Sequence, residues 1–244
     1  MLRIDHYAEL DSTNEEARRR ALAGERGPVW IRADRQGAGR GRRGRAWISE
    51  PGNLFITGLY VLDTQPGDAA RLSFAAALSV ADLIEEIVSG LNPRLKWPND
   101  VLIEGRKVCG ILLESGTAPG GGLWLAVGIG VNLTHHPEDS ERPATSLAAH
   151  DAKADPVHAG ERLAYHFDTW LSRWQTGGFA PIRDAWLTRA HALGEKVIAR
   201  LETETVEGVF ADLMPDGALR LDLADGTRRL ISAGDVFFPA KPQG

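Results

Sequence analysis

A chain of 244 residues, 43% of them hydrophobic, is long enough for one or two domains and a substantial core. Lys and Arg number 28 against 33 Asp and Glu, a net charge of -5, so the long-range field repels nucleic acid and anionic membrane, and any basic site must be local. The N-terminus has no apolar run behind a basic end, no apolar stretch reaches membrane-spanning length, and the single cysteine, Cys109, has no internal disulfide partner. These features predict a cytoplasmic protein, bound to neither membrane nor nucleic acid, with Cys109 as a buried structural thiol.

Ser12 and Thr13 each stand three residues before a glutamate, Glu15 and Glu16, which predicts a capped helix over residues 14–23. Strands are expected at 29–32 and 53–62, and between them a segment with four glycines, residues 37–45, reads as an irregular loop. Apolar positions from Leu72 to Val88 recur at helical spacing, predicting one long amphipathic helix over 69–91. Strands follow at 101–104, 107–114 and 123–133, the first two antiparallel across the Gly105-Arg106 turn. Helices are expected at 156–175 and 181–193, with Leu163, Phe167, Trp170, Leu171 and Trp174 as core. From Gly194 the texture changes to short strands at 196–201, 205–213, 218–223 and 227–232, joined by Pro-Asp-Gly and Asp-Gly turns. The expected organisation is an α+β domain over residues 1–193 and a small antiparallel β domain over 194–244, the latter too short to carry much chemistry alone.

Five segments bear residues suited to chemistry. In GAGRGRRGR, residues 37–45, glycine backbone N–H groups can approach an anion while guanidinium forks pair with its oxygens; composition alone also allows a solvated basic loop or an RNA-binding tract. Trp47, close behind, offers an aromatic face for a base. In KWPND, residues 96–100, Asn99 and Asp100 are oxygen donors for magnesium and Lys96 a counter-charge for phosphate, while Pro-Asn-Asp is also ordinary turn chemistry. Lys107 opens a strand interrupted by Gly110; it reads as a carboxylate-binding lysine or as a solvated strand end. Gly128 and Gly130 alternate in an apolar strand ahead of Asn132, as a narrow pocket requires. Ser12, Thr13 and Asn14 suit a polar uncharged ligand head, or only cap the helix. His135-His136 lacks metal-ligand spacing, and neither a Gly-x-Ser-x-Gly elbow, a P-loop nor a dinucleotide fingerprint occurs.

Ser12-Thr13-Asn14, Gln36 followed by GAGRGRRGRAW, KWPND, GRKVCGILLE and VGIGVNL together resemble, in order, the signature segments of biotin protein ligases. The resemblance implies a catalytic fold related to class II aminoacyl-tRNA synthetases, followed by a small SH3-like β-barrel. It also implies a two-step reaction: biotin and ATP give biotinyl-5'-AMP, and a lysine of a biotin carboxyl carrier protein or domain takes the biotinyl group. By resemblance Ser12, Thr13, Asn14, Gln36, Arg40, Gly41, Arg42, Lys107, Gly110 and Gly128 belong to the biotin site. Arg40, Arg42, Trp47, Lys96, Asn99 and Asn132 belong to the ATP and adenylate site, and Asn99 and Asp100 to Mg2+. Arg42, Lys96 and Lys107 are the catalytic candidates. The lipoate or octanoate ligases and transferases, which solve the same acyl-to-lysine problem, are the nearest alternative, and an arginine-rich nucleic-acid-binding module the alternative from another class. The motif at residue 12 leaves no room for the N-terminal winged helix of some relatives, so repressor activity is not expected; a homodimer is compatible with the sequence.

Overall fold

The computed structural model describes residues 2–138 and 143–238. The chain opens with β1 (Ile4–Leu10), α1 (Thr13–Leu22) and β2 (Val29–Gln36), in which the helix serves as the crossover that lets β1 pair with β2 in parallel. Then come β3 (Leu54–Leu62), α2 (Pro66–Ala70), α3 (Leu72–Ile87), β4 (Arg94–Lys96), β5 (Asp100–Ile103), β6 (Arg106–Thr117) and β7 (Leu123–Val131). These seven strands form one sheet in the order β1-β2-β3-β7-β6-β5-β4, antiparallel except for its first pair.

Alternation along β6 and β7 divides the sheet into two unlike faces. Cys109, Ile111, Leu125, Val127, Ile129 and Val131 enter the main core, which α3, α4 (Pro156–Gly177) and α5 (Ala180–Thr188) cover. On the opposite face Ala17 and Ala21 of α1 pack with Val29, Ile31, Leu59, Trp124 and Ala126 in a much smaller cluster. One ten-residue helix cannot cover that face. The uncovered part, over β6 and β7, is where the candidate site lies.

The remaining strands, β8 (Lys196–Arg200), β9 (Thr205–Leu213), β10 (Leu219–Asp222), β11 (Arg228–Ile231) and β12 (Asp235–Phe237), make a five-stranded antiparallel sheet in the order β11-β10-β9-β8-β12, which fits a small barrel-like domain. Its apolar side joins the main core through Trp186 and Phe210, whose rings lie 6.3 Å apart. The α+β architecture with a small β unit is thus as the sequence implied.

Particular elements differ. The long helix is two: α2 begins at Pro66, Arg71 separates it from α3, and α3 ends at Ile87, where Val88 turns extended ahead of Gly90 at φ 92°. β1, β4 and β12 were not anticipated, β4 and β12 having only three residues each and β1 an irregular pattern of partly exposed positions. The glycine/arginine segment is not featureless, for Arg40 bridges Ala46 and residues Arg42–Gly44 form one 3-10 turn. No helix among the described residues is long and apolar enough to cross a membrane. Cys109 is fully buried, and burial pushes its thiol pKa up, as a structural thiol requires.

The polar side of α3 ties the helical layer together: Asp82 accepts from Trp170 Nε1 at 2.6 Å and from Arg189 Nη1 at 2.7 Å. Replacing Asp82 by Ala leaves Trp170 Nε1 without its acceptor and Arg189 with its ion pair to Glu85 at 3.1 Å, and thermal melting should register a loss of about 1–3 kcal/mol. Ligand binding in the cleft on the other face should be unchanged, and a variant that melts like the parent would contradict this role.

Candidate active site

The uncovered face forms an open cleft of about 310 Å³, within the range of small-molecule sites. Its floor is made of backbone. Gly110 of β6 and Gly130 of β7 are directly paired, and Trp47 lies across them: a Cβ on Gly130 would stand 2.6 Å from the indole Nε1, and one on Gly110 2.8 Å from Cζ3. Gly128, two residues along, supports Asn14, whose Oδ1 would collide with any Cβ there. These glycines are required by close approach, since a strand otherwise disfavours them.

At one end of the cleft Ser12, Thr13, Asn14 and Gln36 form a polar, uncharged wall. The expected capping box is not formed. Ser12 occupies the N-cap position of α1 but makes no side-chain cap; its own N–H donates to Asp11 Oδ1 at 2.7 Å. Glu15 and Glu16 are engaged by arginines, and Arg18 and Arg40 hold the Glu15 carboxyl below its ordinary range. The Thr13 N–H is satisfied by Gln36 Oε1 at 2.8 Å, from another element altogether. Ser12 is therefore buried at the cleft wall with its hydroxyl released from capping. Hydrogen bonds from Arg19 and the Ser12 amide hold Asp11 at a pKa of about 2, which keeps this entry to the helix charged and fixed at neutral pH.

Asn14 is fixed from three sides. Its Nδ2 donates to Leu112 O at 3.2 Å and to Glu114 Oε2 at 2.7 Å, and Thr57 Oγ1 lies 2.7 Å from its Oδ1. The Thr57 hydroxyl, fully buried, also lies 2.8 Å from Thr13 Oγ1 and has one proton to share between the two. Gln36 Nε2 continues the network to Ser49 Oγ at 3.0 Å, and Ser49 donates to Trp47 O at 2.9 Å. The polar wall and the tryptophan on the floor thus belong to one hydrogen-bonded unit.

The other end is cationic. Lys107 Nζ stands 2.5 Å from Asp100 Oδ1 and 5.3 Å from the centroid of the Trp47 ring. Arg42 Nη1 donates to Asn99 Oδ1 at 3.3 Å and to Gly234 O at 3.4 Å, and Asn99 Nδ2 donates to Ile111 O at 2.7 Å. Burial, helped by Arg43 and Arg45, lowers the Arg42 pKa against the opposing pull of Asp235 and Asp100; an arginine stays charged at neutral pH nonetheless. Asn132 holds the rim by donating from Nδ2 to Thr145 O at 3.0 Å. Arg40, Gly41, Arg42, Trp47, Asn99, Asp100, Lys107, Gly110, Gly128 and Asn132 all line this one cleft together with the polar wall.

Lys96 does not. It is buried behind Asp100, 3.9 Å from Oδ2, with its ammonium 5.8 and 5.4 Å from the Phe237 and Phe238 rings. Sequence reasoning missed Ser49, Thr57 and Glu114. Ser49 carried a weak signal, two residues after Trp47; Thr57 and Glu114 carried none, because their partners lie 43 and 100 residues away.

Residues 10–133 match the model of the biotin/lipoate A/B protein ligase family, and residues 192–238 match the biotin protein ligase C-terminal domain. The chain is 45% identical to a biotin-[acetyl-CoA-carboxylase] ligase of Paracoccus denitrificans, over 95% of this chain and 98% of that one. The chain belongs to the biotin/lipoate A/B protein ligase family. Among solved structures, the biotin protein ligase of Aquifex aeolicus in complex with biotin and ATP superposes with a TM-score of 0.82 at 28% identity, covering 97% of this chain and 98% of that chain. The biotin protein ligase of Leishmania major in complex with biotinyl-5-AMP gives 0.68 at 25% identity, covering 95% and 99%.

Among the described residues no three His, Cys, Asp or Glu side chains cluster as metal ligands. Asn99 Oδ1 faces Arg42, and Asp100 Oδ1 faces Lys107. Asp100 is the one carboxylate lining the cleft among the described residues, a donor set that fits a magnesium ion carried in by its own ligand and not one caged by protein side chains.

Gly128→Ala should drive Asn14 off Thr57 and Glu114 and lower stability by about 1–3 kcal/mol through the groups left unpaired. Gly67→Ala, where a Cβ meets open space in α2, serves as the neutral reference in the same denaturant titration. Equal midpoints for the two variants would refute the packing described.

Proposed function

We propose that this chain is an ATP-dependent ligase that activates biotin as biotinyl-5'-AMP and then transfers the biotinyl group to a lysine of a biotin carboxyl carrier protein or domain. The observation that carries the reading is the convergence of segments from residues 12–14, 36–47, 99–110 and 128–132 on one cleft with a polar uncharged end, a glycine floor and a cationic end. A biotin head, neutral and rich in hydrogen-bonding groups, fits the Ser12, Thr13, Asn14 and Gln36 wall. Its apolar chain runs over the floor, and its carboxylate meets Lys107. The nucleotide takes the Arg40, Arg42, Trp47, Asn99 and Asn132 end. Relatives of known structure bind biotin with ATP, or biotinyl-AMP, on this fold.

In the first step a carboxylate oxygen of biotin attacks the α-phosphorus of ATP, and the bond to pyrophosphate breaks. Arg42 and Lys107 stabilise charge as it moves onto the departing oxygens, an electrostatic contribution needing no covalent bond to the enzyme. Asp100 would hold a magnesium ion that accompanies the phosphates, and the ion supplies further neutralisation there. Lys96, set behind Asp100, offsets the charge of that carboxylate. In the second step the carrier's lysine amine attacks the biotinyl carbonyl and AMP leaves with the electron pair. Water would hydrolyse the mixed anhydride, so the Arg40–Trp47 segment has to cover it until the amine arrives.

Lipoate chemistry is the near alternative within the family, and ATP-pyrophosphate exchange separates the two. Exchange should depend on biotin; exchange supported by lipoate alone, or RNA binding without exchange, would overturn the proposal. Arg42→Gly, which removes charge-assisted hydrogen bonds of about 1.5–3 kcal/mol each, should retain its fold and leak adenylate roughly ten- to a hundredfold faster. Release of biotinyl-AMP from the purified variant measures this, and retention equal to the parent would remove Arg42 from the lid. Lys107→Ala should raise the biotin Kd by a similar factor in direct titration, with little change in melting temperature; a large stability loss with normal affinity would instead mark Lys107 as structural.

A further inference from the structure

Outside the groups assigned to the reaction, one side chain organises more backbone than any substrate contact requires. Asn53 Oδ1 accepts three consecutive main-chain N–H groups, from Leu133 at 2.9 Å, Thr134 at 2.9 Å and His135 at 3.0 Å. The same side chain returns a hydrogen bond from Nδ2 to His135 O at 3.0 Å and is 5% exposed. Successive N–H groups that converge on one point form a concavity suited to an anion. Here the chain fills it with its own amide oxygen.

The location gives this contact its consequence. The ladder between β3 and β7 ends at Leu54 and Val131, so Asn53 stands opposite Asn132, at the point where the chain leaves the sheet. Asn132 is held there by its backbone, donating to Val108 O at 2.8 Å and accepting from Leu147 N at 3.0 Å, and its side chain reaches the cleft rim. The turn that follows leads to Pro137, which also lines the cleft. Thr134 adds a second tie, its hydroxyl donating to Gly52 O at 3.0 Å.

We propose that Asn53 is a positioning residue for the nucleotide side of the cleft: by gathering the 133–135 amides it sets the direction in which Asn132 presents its side chain and in which the rim leaves β7. The inference rests on the assignment of Asn132 to the adenylate end. The biotin head, held by the distant Ser12 to Gln36 wall, does not depend on it.

Three proteins, the parent, Asn53→Leu and Asn53→Asp, are compared in biotin-dependent ATP-pyrophosphate exchange, in biotin titration without ATP, and in thermal melting. Leu matches Asn closely in size and removes the acceptor; Asp keeps an acceptor for all three amides. Asn53→Leu should raise KM for ATP roughly tenfold or more, the loss expected when buried donors lose their partner, and leave the biotin Kd within about twofold. Asn53→Asp should recover KM for ATP to within about threefold of the parent. A parallel rise in KM for ATP and biotin Kd, a lowered melting temperature with unchanged KM for ATP, or an Asp variant as impaired as the Leu variant would each overturn the proposal. Asn53→Ser, whose shorter hydroxyl cannot span the three amides, carries the same comparison if Asn53→Leu does not fold. A parent protein lacking biotin-dependent exchange would overturn the functional reading and this inference together, whereas an active parent with the wrong variant pattern would overturn this inference alone.

Discussion

The cleft depends on a stretch of sheet surface without side chains. Gly110, Gly128 and Gly130 let Asn14 and Trp47 come down onto the backbone of β6 and β7, closer than any Cβ permits. Each glycine in a strand interior costs about 0.5–1 kcal/mol in lost chain entropy and packing. That cost is offset on the reverse of the same strands, where Cys109, Ile111, Val127, Ile129 and Val131 are buried in the main core. The period of two therefore does double service: odd-numbered positions hold the sheet in place and even-numbered positions keep a floor clear for a ligand.

An acidic chain that handles phosphate must keep its cations gathered without letting them repel one another apart. Here Lys107 pairs with Asp100, Arg40 with Glu15, and Arg43 and Arg45 with Asp235, while Arg42 donates to Asn99 Oδ1 and Gly234 O. An exposed pair such as Arg40 with Glu15 adds little stability, generally under about 1 kcal/mol, so an incoming phosphate can take over that cation at small expense. The pair between Lys107 and Asp100 differs in that Asp100 is almost wholly buried, and Lys96, 3.9 Å from its Oδ2, still faces the carboxylate when Lys107 turns to a ligand.

What the sequence revealed and what it concealed follow from range. The loop of residues 37–45, KWPND and the Gly128-x-Gly130 strand declare themselves because their chemistry is written in adjacent residues, and all three reach the cleft. Gln36 was placed by resemblance, but its actual partners, Thr13 and Ser49, come from other segments, so that a threonine read as part of a local cap is held by a glutamine 23 residues on. Thr57 looked like an ordinary β-branched strand residue and Glu114 like a strand end; only tertiary pairing turns them toward Asn14. Lys96 was legible as a cation but not in its depth, since the aromatic residues that cover it, Phe237 and Phe238, are some 140 positions away. Of the missed strands, β4 and β12 bury Leu95 and Val236 but have three residues each, too few to show an alternation, and β1 has only partly buried and exposed positions.

The small C-terminal sheet joins this argument through its turns. Trp97, in the middle of KWPND, donates from Nε1 to Gly217 O at 3.1 Å, in the turn between β9 and β10. Arg42 reaches Gly234 O, and Asp235 pairs with Arg43 and Arg45, at the turn into β12. One compact unit therefore touches both segments of the cationic end, which the hydrogen bond from Arg42 to Asn99 also joins across the cleft. Packed against Trp186 and Phe74, it is a common support for the arginine loop and the KWPND turn, which it contacts through Gly234, Asp235 and Gly217.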